Sequence, residues 1–322
     1  MYKVFEKPAP SPLKMRDAYC QTLMEKAKSN KDIVALDSDL IGSSGMKPFF
    51  KAYPDQAVQC GIAEANMIGI AAGLSAVGKI PFAHSFGCFS SRRACDQIMI
   101  SAAYAKLNVR ILGSDPGVTA AYNGGTHMPF EDMGVLRSIP EIALIELTDP
   151  VMVQNIVSQL CGSLYGVYYL RMARKDAVAI YEEGSTFEIG RGNVISKGSD
   201  ATVFASGIMV AEALKAAELL SFEHISVRVV DMFTWKPIDT ELIQKCAVET
   251  GAIVTAENHN IYGGLGSAVA EACAKTIPVP IEMVGVNDRF GQVGTESWLR
   301  GEYNLTSGDI IDAIRRAIAR KA

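Results

Sequence analysis

The chain is most constrained by the way short apolar runs alternate with longer helical segments. Strand-like runs stand at 32–35, 57–60, 79–83, 109–113, 142–146 and 166–171, with helical segments between them from about 11–28, 64–74, 91–106 and 149 onward. Crossovers of roughly 10–20 residues are too long for hairpins and fit parallel strands joined by helices. Between Asp176 and Arg191 the rhythm breaks into the polar, glycine-containing stretch YEEGSTFEIGRG. It resumes with strands at 201–205, 227–231, 252–255 and 281–286, separated by helices at 209–220, 239–249 and 264–275, and ends in a helix from about Ser307. The expected fold class is α/β: a parallel-sheet domain over residues 1–185, then a smaller α/β domain over 186–322.

Composition excludes several functions. The net charge of -4 is spread over both signs, leaving no basic stripe for nucleic acid and no polybasic or amphipathic membrane segment. The N-terminal MYKVFEKPAPSPLKMR has no apolar core of signal-peptide type, and the longest apolar run, Met67–Gly78, is too short to span a bilayer. Seven cysteines without a C-x-x-C pair point to reduced thiols in the cytoplasm and away from a disulfide framework or a zinc site.

The segment Gly61–Leu74, GIAEANMIGIAAGL, follows a strand-like run and puts Glu64 in the first turn of a helix. No face of that helix is polar, so burial on all sides is expected. A carboxylate there either complements the helix dipole or serves chemistry. In open α/β sheets ligands bind beyond the carboxyl ends of the strands. The residues emerging there are Asp37, Asp39, Ser43, Glu64, Ser85, Phe86, Phe89, Ser114, Asp115, Asn123, His127, Arg171 and Arg174. Phe86 and Phe89 suit either the core or an aromatic shelf for a flat heterocycle. His127 follows Gly124-Gly125-Thr126 in the longest loop of the first domain, where a histidine is either solvated or functional. Gly263-Gly264-Leu265-Gly266 lacks dinucleotide spacing and reads as a tight strand-to-helix turn. Neither a P-loop nor a serine nucleophile elbow occurs.

Together these pieces resemble the C-terminal half of transketolase, a pyrimidine-binding domain followed by a small C-terminal domain, over nearly the whole chain. In that family the glutamate of a G-I-x-E-x-x-M segment contacts the aminopyrimidine ring of thiamine diphosphate. Glu64 and Met67 stand at the matching positions. The resemblance implies that Glu64 shares a proton with the ring and favours the imino tautomer that deprotonates the thiazolium carbon. Phe86 and Phe89 match the aromatics that stack on the pyrimidine, and Arg92 stands where many members carry tyrosine. The resemblance also implies that Asp39 and Ile62 border the cofactor. The family's G-E-D-G-x-T-H-Q looks like Tyr122–Met128 here, which makes His127 a catalytic, substrate-contacting histidine. Arg16, Ser43 and Arg174 look like the residues that hold the sugar phosphate, a role suited to arginine's rigid paired donors.

Two positions depart from the family pattern. Asn123 replaces an aspartate that reads a sugar hydroxyl, and Ser114 stands where a histidine is expected near the loop start. Both would touch substrate, so the departures bear on which sugar is used; an unusual phosphorylated or sulfonated ketose fits them. The family's G-D-G diphosphate and Mg²⁺ anchor does not occur in the chain. The resemblance thus implies one subunit of a split transketolase in sugar metabolism of the pentose phosphate type. It would be active only with an N-terminal partner that holds most of the Mg²⁺ site, in an α2β2 heterotetramer. The β subunit of a 2-oxo acid dehydrogenase decarboxylase, deoxyxylulose-phosphate synthase and a non-catalytic homologue are the competing readings. The G-G-T-H segment with its arginines favours ketol transfer.

Overall fold

The computed structural model describes residues 1–321 and divides into two compact units: Met1–Pro116 with Val135–Phe187, and Gly117–Gly134 with Glu188–Ala322. The first unit contains strands β1 (Val4–Pro10), β2 (Ile33–Asp37), β3 (Ala57–Gln59), β4 (Ile80–Phe86), β5 (Arg110–Ser114), β6 (Ile142–Glu146), β7 (Val167–Met172) and β8 (Val178–Tyr181). Strands β2 to β7 pair in parallel in the order β6-β7-β5-β4-β2-β3. β2 and β5 are buried along their whole length, as expected of parallel strands covered on both faces. β2 lies between β3 and β4; the connection after β2 leads to β3 on one side, and the connection after β4 leads to β5 on the other. That reversal opens a crevice at the carboxyl edge between β2 and β4.

β1 and β8 form a separate antiparallel pair absent from the sequence reading. Pro8 and Pro10 disguise β1, and proline is tolerated at such an edge. Ser11-Pro12, read as a helix start, forms a local turn instead: Leu13 N–H donates to Ser11 Oγ at 3.2 Å, and the helix runs Met15–Ser29. Asp149-Pro150 does open a helix, Pro150–Leu160. Its carboxylate accepts from Met152 N at 2.9 Å, and it also accepts from Ile180 N and Tyr181 N, tying β8 to that helix.

The Glu64–Ala76 helix corrects the expectation of burial on every side. Met67, Ile68, Ala71, Ala72 and Ser75 face the core, while Asn66, Gly69, Gly73 and Ala76 are exposed. A Cβ added at Gly69 or Gly73 would meet nothing within 4 Å. An apolar helix shows that a face seeks burial, not that its own chain supplies the cover. The helix expected to reach Lys106 is broken into short pieces over 87–97 and a wide π-type segment at Ile98–Tyr104.

The second unit contains β9 (Asn193–Ser196), β10 (Ala201–Ala205), β11 (Val227–Asp231), the short β12 (Thr234–Lys236), β13 (Ile253–Asn260) and β14 (Ile281–Val286). Its sheet runs β14-β13-β10-β11-β9, parallel except for β9. The sequence reading assigned the loop 117–134 to the first domain, but this loop belongs to the second unit. Val118 N donates to Asn258 Oδ1 at 3.0 Å, Asn260 N to Phe130 O at 2.7 Å, and Gly134 N to His259 Nε2 at 3.2 Å. Among the described residues no helix is long and apolar enough to cross a membrane.

Candidate functional site

The reversal at β2 and β4 organises the first unit's polar residues. Ser38 leaves β2, Ser85 lies near the end of β4, and Glu64 opens the helix after β3. Glu64 is 1% exposed. Its Oε1 accepts from Ser85 Oγ at 3.2 Å and Ser38 Oγ at 3.4 Å, and Ser38 also donates to Ser85 at 2.8 Å. Its Oε2 pairs with Arg93 Nη1 at 2.7 Å. The carboxylate is thus fixed in position by two serines and a guanidinium.

Phe86 and Phe89 pack tilted with ring centroids 6.2 Å apart, and the Arg93 guanidinium lies 4.1 Å from the Phe89 ring centre. The sequence reading named Arg92 for the cofactor, whereas the arginine paired with Glu64 is Arg93; both arginines are exposed. Asp39 and Ile62 are both exposed, Ile62 at 75%, and Asp39 N donates to Gln59 Oε1 at 2.9 Å. Asp37 is buried and turned inward. It accepts from Leu40 N and from Ser44 Oγ, and burial pushes its carboxyl up to about 6.

The three residues expected to hold the sugar's anion are brought together. Arg16 N donates to the Arg174 carbonyl at 3.3 Å, and Arg16 Nη1 donates to the Ser43 carbonyl at 3.0 Å. Arg174 lies 5.2 Å from the Phe86 ring centre. Ser114 is fully buried, with its Oγ 3.0 Å from His84 Nε2. Burial and the Arg174 charge push His84 down to about 3, so the imidazole is neutral.

Asn123 and His127 lie on the second unit's loop, Asn123 exposed and His127 half-buried. His127 Nδ1 is 3.0 Å from Thr126 Oγ1. The loop is pinned by residues that sequence reading passed over. Asn258 fits so tightly that a Cβ at Gly117, whose φ is +48°, would come within 2.1 Å of its Oδ1. Gly263-Leu265 forms a strand-to-helix turn, and its helix N-terminus is filled by Glu257. That carboxylate accepts from Leu265 N and Gly266 N at 2.7 Å each, which disposes of a phosphate reading.

The donor set fits the aminopyrimidine end of thiamine diphosphate, since a buried carboxylate stands next to an aromatic pair at a sheet reversal. Family models agree with the geometry. The transketolase pyrimidine-binding domain matches residues 11–177, and the transketolase C-terminal domain matches residues 190–310. The chain is 46% identical to the 6-deoxy-6-sulfo-D-fructose transketolase subunit SqwH of Clostridium sp. (strain MSTE9), over 95% of each chain. It is 34% identical to human transketolase across 99% of its own length but only 50% of the human protein's. A solved split-gene transketolase, described as an inactive beta4 tetramer, superposes with a TM-score of 0.90 at 42% identity, covering 96% of this chain and 100% of that one. With both domain models matched in order along the α/β fold, the chain belongs to the transketolase family, whose members transfer ketol units with thiamine diphosphate.

Proposed function

We propose that this chain is the C-terminal subunit of a two-chain transketolase. It would move a two-carbon ketol unit from a ketose bearing a terminal anionic group, phosphate or sulfonate, to an aldose. The observation that carries the reading is Glu64, buried between Ser38, Ser85 and Arg93 beside the Phe86–Phe89 pair. Thiamine diphosphate supplies the carbon nucleophile when bound. Glu64 holds a proton at the far pyrimidine nitrogen, and Phe86 and Phe89 orient the ring and exclude water. Arg16 and Arg174, with Ser43, receive the anionic end of the sugar. His127 and Asn123 contact its hydroxyls, Asn123 as a neutral group that both donates and accepts.

The likeness to a split-gene subunit and the half-length match to human transketolase support an N-terminal partner chain. That partner would hold the diphosphate and most of the Mg²⁺ site, in an α2β2 assembly. The exposed Asn66, Gly69 and Gly73 face is consistent with cover by another chain. The name of the Clostridium relative supports a sulfonated ketose as one candidate substrate. All seven cysteines are free thiols, which suits a reducing cytoplasm. A domain division at 1–185 and 186–322 falls in the gap between the two family matches, which end at residue 177 and begin at residue 190.

The test is reconstitution. This chain alone should show no ketol transfer, and adding the N-terminal section of a split transketolase should produce it. Pyruvate decarboxylation without ketol transfer by the assembled pair would support the 2-oxo acid dehydrogenase alternative instead, which the relatives do not favour.

A further inference from the structure

Asp115 sits directly after β5 at φ +56°, a left-handed conformation uncommon for a residue with a side chain. It is 2% exposed, and its Oδ2 lies 2.7 Å from Arg174 Nε. It engages the Nε edge of the guanidinium. No hydrogen bond to the Nη1 or Nη2 edge forms among the described residues. That edge is the fork suited to paired recognition of an oxyanion. Burial pushes the Asp115 carboxyl up to about 6, with Arg174 and Lys175 opposing the rise, so at pH 7.5 it is mostly ionised. The neighbouring His84 is neutral and adds no charge. The cluster that meets the substrate's anion therefore contains a built-in negative charge next to one of its arginines.

We propose that Asp115 tunes the charge preference of the anion subsite: it fixes Arg174 by the Nε edge and lessens the advantage that the paired arginines give a phosphate dianion over a singly charged head group such as a sulfonate. This rests on the reading of Arg16 and Arg174 as the substrate's anion ligands. Coulomb repulsion from a fixed carboxylate is twice as large for a dianion as for a monoanion at the same distance. A phosphate monoester carries close to two charges above its second pKa of about 6, whereas a sulfonate carries one. Arg174 attracts both anions. Asp115 cancels part of that attraction and takes the larger share from the phosphate. Asp115 acts here through charge and through the placement of Arg174, as a specificity and positioning residue.

The experiment uses the assembled two-chain enzyme at pH 7.5. It measures kcat/KM for a ketose 6-phosphate and for the isosteric 6-deoxy-6-sulfonate, with an uncharged ketose in parallel. Asp115→Asn should shift the phosphate-to-sulfonate ratio toward phosphate about tenfold, with the change in KM. A merely structural ion pair would depress all three substrates together and leave the ratio fixed, and that result overturns the proposal. A second measurement uses small anions: Asp115→Asn should strengthen inhibition by methyl phosphate more than inhibition by methanesulfonate, and an equal change in both overturns the proposal as well. Failure to transfer a ketol unit from any ketose would defeat the functional reading and the proposal with it. Turnover with an unchanged ratio defeats the proposal alone.

Discussion

Replacing Glu64 with glutamine separates the chemical role of this carboxylate from its structural one. The amide keeps the shape and can still accept from Ser38 and Ser85, whose hydroxyls now lie 3.4 and 3.2 Å from Oε1. What it removes is the charge facing Arg93. That arginine's side chain is 45% exposed, so solvent screens the pair, and its contribution to stability falls in the range of about 0–1 kcal/mol typical of exposed ion pairs. A carboxylate-to-amide change in a 322-residue protein should therefore move the melting temperature by only a few degrees, about 2–4 °C per kcal/mol at domain sizes near 150–250 residues. Turnover should fall far more. The amide cannot share a proton with the pyrimidine nitrogen, and losing a positioned acid-base group costs about 100-fold to 10,000-fold. The assay is ketol transfer by the reconstituted complex, with a melting curve on the same preparation. Near-wild-type turnover in Glu64→Gln would refute the reasoning and leave Glu64 as a helix N-terminal charge. A collapse of the melting curve alongside lost turnover would show that the carboxylate acts mainly on the fold.

Further perturbations address the other parts of the site and fold. Arg16→Ala or Arg174→Ala should raise KM for anionic ketoses far more than for an uncharged analogue, by up to about 2–5 kcal/mol for a buried charged partner lost; steady-state kinetics on matched substrates reads the difference, and an equal effect on both would make the arginines structural. Asn258→Ala removes the acceptor for Val118 N and should loosen the loop bearing Asn123 and His127, visible as faster amide exchange over 117–134. Asp37, held up at about 6 against an ordinary 3.8, binds a proton more tightly folded than unfolded. Its contribution to stability is therefore greatest at low pH and falls as pH rises from about 4 through 6, by at most about 3 kcal/mol. Urea melts should show the stability difference between wild type and Asp37→Asn moving in the variant's favour across that window as pH rises, and a constant difference would count against the shift. Changing Asn123 to aspartate should move sugar preference without abolishing transfer, read as a ratio of catalytic efficiencies for two ketoses.

What the sequence showed, and what it concealed, follow from how local each determinant is. The Asp149-Pro150 start is legible because a cap needs only a few adjacent residues, and the strands at 142–146, 201–205 and 227–231 because a parallel strand buried on both faces is a plain apolar run. Glu64 and the two phenylalanines were legible because each sits at a fixed distance from a strand end. Partners set by the packing of distant segments were not. Nothing local distinguishes Arg93 from Arg92, and only the folded turn decides which one reaches back 29 positions to Glu64. Ser114 and Asp115 show the same limit at single-residue resolution. Successive residues at a strand end point to opposite sides. Here Ser114 turns inward to His84, while Asp115, in its left-handed conformation, meets Arg174. The group beside Arg174 is the Asp115 carboxylate, and under the proposed role of Arg174 that charge is where substrate preference should be tested first.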